Sequence, residues 1–181
     1  MSSPKSYLRF AILLWGLIFS FGIAAAIAQE EEDPNKKYRE DYEKFQKIIA
    51  IGDPMKKADS LMTFLGQGPD PKLVDYVQGN FLQVVENLAK TEKNQNVITL
   101  CERFIKMRPK VGETYYFYGV ALKNTQRFPE SLDAFAKCYV LKNKASNRAK
   151  DFLDFVYKSQ HQGNLAGEEK IIKKAQEEAG K

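Results

Sequence analysis

Few residues in this chain combine the types and spacing that chemistry needs. The single histidine, His161, lies in the polar stretch Ser159-Gln160-His161-Gln162-Gly163, with no cysteine or acid at metal-ligand spacing around it. That stretch reads as an exposed turn. The two cysteines, Cys101 and Cys138, could join as a disulfide in an oxidising compartment, or each could fill a core position as a buried thiol. Paired acids stand at Glu168-Glu169 and Glu177-Glu178, but on a helix rich in Lys and Glu they read as solvated surface rather than as an acid–base pair. The sequence carries no glycine-rich phosphate loop, zinc-hydrolase helix or serine elbow. Nothing in it points to an enzyme, a cofactor or a resident metal, and the expectation is a noncatalytic protein.

The elements that position these residues are helices. Apolar residues recur at steps of three and four, as in Phe152, Leu153, Val156 and Tyr157, and no stretch after the N-terminal segment alternates as a strand would. Breakers fall at Gly52-Asp53-Pro54, Gly66 through Pro71, Pro109, Pro129 and Gly163. Pro54 and Pro129 suit a first helical turn, where an N–H has no helical partner. The spacing predicts eight helices in four hairpins, about 37–66, 71–108, 112–142 and 146–179.

The hairpins also repeat. A shift of 34 residues lays Phe81, Val84, Val85, Leu88 and Val97 on Tyr115, Tyr118, Gly119, Leu122 and Ser131. The clearest unit, Gly112 to Ala145, has Tyr115, Tyr118, Gly119 and Leu122 in its first helix and Ser131, Phe135 and Cys138 in its second. Small residues at Gly119 and Ser131 let two helices approach, with Tyr115 and Phe135 filling the space beside them. In these residues and this period the chain resembles the tetratricopeptide repeat (TPR) proteins. Asn143 stands where the repeat has a helix-stopping proline.

The preceding unit, from Gln78, is more degenerate: Val85 and Phe104 are larger than the family prefers, and Pro109 supplies the stop. A further unit begins near Arg39, with Tyr42, Phe45 and Ile49 in its first helix and Ala58, Met62 and Leu65 in its second, and an insertion lies at Gly66 to Pro71. After Ala145 the shift carries Phe135 onto Glu169, which suits a capping helix from Asn164 to about Ala179.

The resemblance implies an all-α superhelix, a solenoid of about four TPR-type hairpins with a concave groove for a protein or peptide segment. Its groove positions fall on Leu82, Glu86, Ala89 and Lys90, then Glu113, Tyr116, Val120, Lys123 and Asn124, then Lys150, Asp154, Tyr157 and Lys158. Aromatic and lysine side chains together suit an extended segment with an acidic or C-terminal carboxylate end. Family members that clamp a C-terminal carboxylate use lysine and asparagine where this chain has Tyr116 and Val120, so that particular activity is not implied.

The N-terminus has its own character. Lys5 and Arg9 precede an apolar run from Phe10, and Ala26-Ile27-Ala28 comes before the acids Glu30 to Asp33. Residues 1–28 read as a secretory signal peptide, 29–36 as an acidic linker and 37–181 as the helical domain. The alternative for residues 10–28 is an uncleaved signal anchor that associates with the membrane. The expected location is exported or periplasmic, with inner-membrane anchoring as the alternative. The function expected is an adaptor or scaffold of the cell envelope, the alternative being a structural accessory subunit of a membrane complex. Self-association through a coiled coil beginning near Glu30 is limited by Pro34. A net charge of +5, without clustered basic residues, gives no nucleic-acid footprint.

Overall fold

The computed structural model describes residues 33–180. The segment 10–28 and the acids up to Glu32 lie outside the described residues. The chain divides into two compact units between Lys36 and Lys37, and the second carries the features below.

The helices are α1 (Lys36–Ile49), α2 (Pro54–Gly66), α3 (Pro71–Lys90), α4 (Asn94–Met107), α5 (Gly112–Asn124), α6 (Phe128–Val140), α7 (Ser146–Gln160) and α8 (Glu168–Ala179). All regular structure among the described residues is helical, as the apolar spacing predicts. Asp53 and Asp70 cap α2 and α3 by accepting from the N–H groups of Lys56 (2.7 Å) and Lys72 (2.9 Å). Pro54 and Pro71 are the first residues of those helices, and Pro129 is the second of α6.

From α2 to α7 each helix packs on the next, and α2 on α4, α3 on α5, α5 on α7 and α6 on α8 also come together. The buried apolar residues form two clusters. One runs from α1 through α5 and takes in Ala134 of α6, and the other gathers Tyr115 of α5 with α6, α7 and α8. Ile105 packs against both.

Residues 34 apart build the same backbone turn. After α3, Thr91 Oγ1 donates to the carbonyls of Asn87 and Leu88, Glu92 is left-handed (φ 57°), and Lys93 N–H reaches back to Leu88 O (3.0 Å). After α5, Thr125 Oγ1 donates to Ala121 and Leu122, Gln126 is left-handed (φ 62°), and Arg127 N–H reaches Leu122 O (2.9 Å). This is a Schellman ending with a side-chain-bearing residue where glycine is usual. A side chain there crowds the following carbonyl, at about 1–2 kcal/mol, whereas glycine adds unfolded-state entropy of roughly 0.5–1 kcal/mol. Gln126→Gly is therefore expected to raise stability by up to about 1 kcal/mol, read as a higher urea midpoint. A fall in the midpoint would refute this account of the turn.

The same shift exchanges volume across the helix pair. Gly119 lies so close to Phe135 that an added Cβ would stand 2.8 Å from its ring. At the corresponding places one unit earlier are Val85 and Cys101, both fully buried. A larger residue on the first helix is thus matched by a smaller one on the second.

Three expectations need correction. Tyr42 does not face the core: it is 43% exposed, whereas Asp41 is 6% exposed. Asp41 Oδ2 accepts the N–H of Asp70 (2.9 Å) and its Oδ1 meets Lys44 Nζ (3.1 Å), the partners a buried carboxylate requires. Tyr42 is left to stack on Tyr38, ring centroids 5.9 Å apart. Secondly, α1 and α2 are not among the closely packed pairs. Phe45 still enters the core, but α1 is also fastened to the inserted loop, with Lys37 Nζ 3.1 Å from Gly68 O. Thirdly, the last helix starts at Glu168 rather than Asn164. Asn164 Oδ1 accepts from Ala166 N (2.8 Å), and Gly167 takes φ 103°, so the intervening residues turn before they coil.

Candidate functional site

A cleft of about 450 Å³ opens where α3, α5 and the start of α7 come together. Leu82 and Glu86 form its α3 wall, Glu113, Tyr116 and Phe117 rise from α5, and Lys144 and Arg148 close the third side. Glu113, Tyr116 and Phe117 reach it together because residues three and four apart share one face of a helix. Tyr116 is held by rings on several sides, with centroids 5.4 Å from Phe117, 6.4 Å from Phe135 and 6.0 Å from Phe152. The Arg148 guanidinium lies over the Tyr116 ring, 4.9 Å from its centroid. In the opposite sense, Lys123 Nζ from α5 lies 5.6 Å from the Phe152 centroid on α7.

Leu82, Glu86, Glu113 and Tyr116 of the predicted groove set thus meet in one cleft, with Val120 and Lys123 further along the same face. Lys90 pairs with Glu86 (2.8 Å). Ala89 is half-buried against the first cluster, and Asn124 ends its helix with a 3.3 Å contact to Asn94. Lys158 is exposed.

The other α7 positions do different work. Lys150 binds Asp154 and also Glu168 Oε1 (2.7 Å), while the buried Tyr157 donates its hydroxyl to Ala166 O (2.9 Å) and stacks on His161. Burial lowers the Lys150 pKa, but the hydrogen bonds it donates to Asp154 and Glu168 outweigh this and hold the pKa above the usual lysine value. Lys150, Asp154 and Tyr157 fasten the segment leading into α8 instead of lining the cleft. Phe117, Lys144, Arg148 and Phe152 were missed. The four-residue spacing of Arg148 and Phe152 is the one sequence signal that places these two on a common face.

Cys101 and Cys138 are both free and buried, so the disulfide left open by the sequence is not made. Burial is the main cause raising both thiol pKa values, that of Cys138 to about 11. Asn143 explains the helix stop without proline: Nδ2 donates to Cys138 O (2.7 Å), Oδ1 accepts from Ala145 N (2.8 Å), and its own N–H donates to Ser146 Oγ (2.7 Å). Gly112 leaves room for it, because a Cβ there would fall 2.0 Å from Asn143 Nδ2.

On the opposite side of α5, Tyr118 donates its hydroxyl to Glu102 Oε1 (2.9 Å). Burial and then this carboxylate push the Tyr118 pKa up to about 12. Among the described residues there is no cluster of three or more His, Cys, Asp or Glu side chains placed to hold a metal ion, and no helix long and apolar enough to cross a membrane. Comparisons of the chain with protein-family models, with curated proteins and with solved structures gave no match.

Proposed function

We propose that the chain is a noncatalytic adaptor or scaffold whose helices form a TPR-type superhelix and hold a segment of a partner protein in the cleft between α3, α5 and α7. The observation that carries this reading is the cleft itself: alternate helices supply its walls, and half-buried aromatic rings sit beside charged side chains. The 34-residue repetition of the Thr91 and Thr125 turns, and the packing of α3 on α5 and α5 on α7, support the repeat architecture. The apolar N-terminal segment supports export to the cell envelope, where such an adaptor would meet its partner.

Affinity capture from envelope extract, using the full chain and the Tyr116→Ala, Lys123→Ala double variant, tests the function. The wild type is expected to retain a partner that the double variant loses while keeping its helical circular dichroism. Equal recovery by both would overturn the cleft as the binding surface.

A further inference from the structure

The cleft face carries a reciprocal arrangement that narrows the chemistry of its occupant. Helix α5 offers Tyr116 to Arg148 of α7, and α7 offers Phe152 to Lys123 of α5. Each cation rests on a ring of the facing helix, and neither has a carboxylate partner among the described ion pairs. A ring satisfies a cation only on one side, so the remaining N–H donors point to an incoming acceptor. Two of the neighbouring acids are already engaged, Glu86 by Lys90 and Asp154 by Lys150. Glu113, also on the cleft wall, repels an anion from its own end.

The spacing sets a ruler. Tyr116 and Lys123 are about 10 Å apart along α5, and Arg148 and Phe152 about 6 Å apart along α7, at roughly 1.5 Å per helical residue. Extended chain advances roughly 3.3–3.6 Å per residue, so two or three residues span that range.

We infer that the occupant is an extended segment of another protein bearing two carboxylate side chains two or three residues apart, one to Arg148 and one to Lys123. This rests on the reading of the cleft as a binding groove and deepens it. The segment need not end the partner chain, because the pair of cations reads side chains rather than a terminus.

The test is fluorescence anisotropy of the full chain with a set of labelled synthetic peptides. Each carries two glutamates in an otherwise uncharged chain, placed adjacent, two, three or five residues apart, with glutamine versions as controls. The strongest binding is expected at separations of two and three, with loss in the glutamine peptides and weakening as salt rises. Lys123→Ala and Arg148→Ala should each weaken the best peptide by about ten- to a hundredfold, the scale of one hydrogen bond to a charged group. Glu113→Gln should tighten it, a result that a merely structural cation–ring contact would not produce. Affinity indifferent to glutamate spacing, no binding of any glutamate peptide, or unchanged affinity in folded Lys123→Ala and Arg148→Ala would overturn the inference. If the envelope partner is still captured by wild type and lost by the double variant while the peptides fail, the adaptor reading stands and the acidic ligand falls.

Discussion

Phe104→Ala is expected to lower the unfolding free energy by about 3–5 kcal/mol, the range for truncating a buried aromatic ring. Phe104 is fully buried in α4, and its ring stacks on Phe81 of α3, centroids 4.0 Å apart and planes 10° from parallel. Alanine removes the ring from water-excluded surroundings and leaves a void whose other wall, Phe81, is itself fully buried. Neither helix can collapse freely into that space, because α3 also packs on α2 and α5, and α4 on α2 and α5. Urea titration followed by circular dichroism would measure the loss, with the midpoint falling and the slope preserved if unfolding stays two-state. At roughly 2–4 °C per kcal/mol for a domain of this size, Tm should fall by about 6–20 °C. A loss below about 1 kcal/mol would show that the Phe81–Phe104 stack is not a load-carrying contact of the core.

Lys150→Ala is the second large effect, with an expected loss of about 3 kcal/mol. Glu168 is 5% exposed, its Oε1 is bound by Lys150, and its Oε2 is buried without a hydrogen-bond partner. Removing the lysine leaves a buried carboxylate whose compensation is the N-terminal end of α8. Breaking a buried pair costs about 3–5 kcal/mol, and a helix N-terminus returns roughly 0.3–1 kcal/mol to a carboxylate. Glu168→Gln in the same chain should recover most of the loss, since no charge is then stranded. A double-mutant cycle by urea denaturation reads the coupling directly. Hydrogen exchange should further locate the damage in α8, whose buried residues are Glu168 and Ala175 alone. Coupling below about 0.5 kcal/mol would remove the pair from any structural role.

The helices were legible in the sequence because their apolar spacing is local, and the proline starts because proline restricts its own residue. The cleft was half legible. Leu82, Glu86, Glu113 and Tyr116 followed from placing one unit upon another, which works where successive helices pack alike. That placement failed at Lys150, Asp154 and Tyr157, because Glu168 at the start of α8 takes up Lys150 and Ala166 just before it takes up the Tyr157 hydroxyl. Asp41 was missed for a related reason: its partner is a backbone N–H at Asp70, 29 residues away, which leaves no periodic trace. Arg148 and Phe152 each look like ordinary helix surface until their ring and cation partners on α5 are known.

The exchange of volume between the two central units bears on how such a chain can be rearranged. Laid 34 residues apart, Cys101 and Phe104 of α4 face the positions of Phe135 and Cys138 of α6, so large and small residues trade places along otherwise similar helices. The two segments are consequently not interchangeable parts. Transplanting α6 in place of α4 would bring a phenylalanine against Val85 instead of Gly119 and a cysteine against Phe81, crowding one site and emptying the other. Gene rearrangements or engineering that shuffle, duplicate or average these segments must therefore move each hairpin whole, keeping α3 with α4 and α5 with α6.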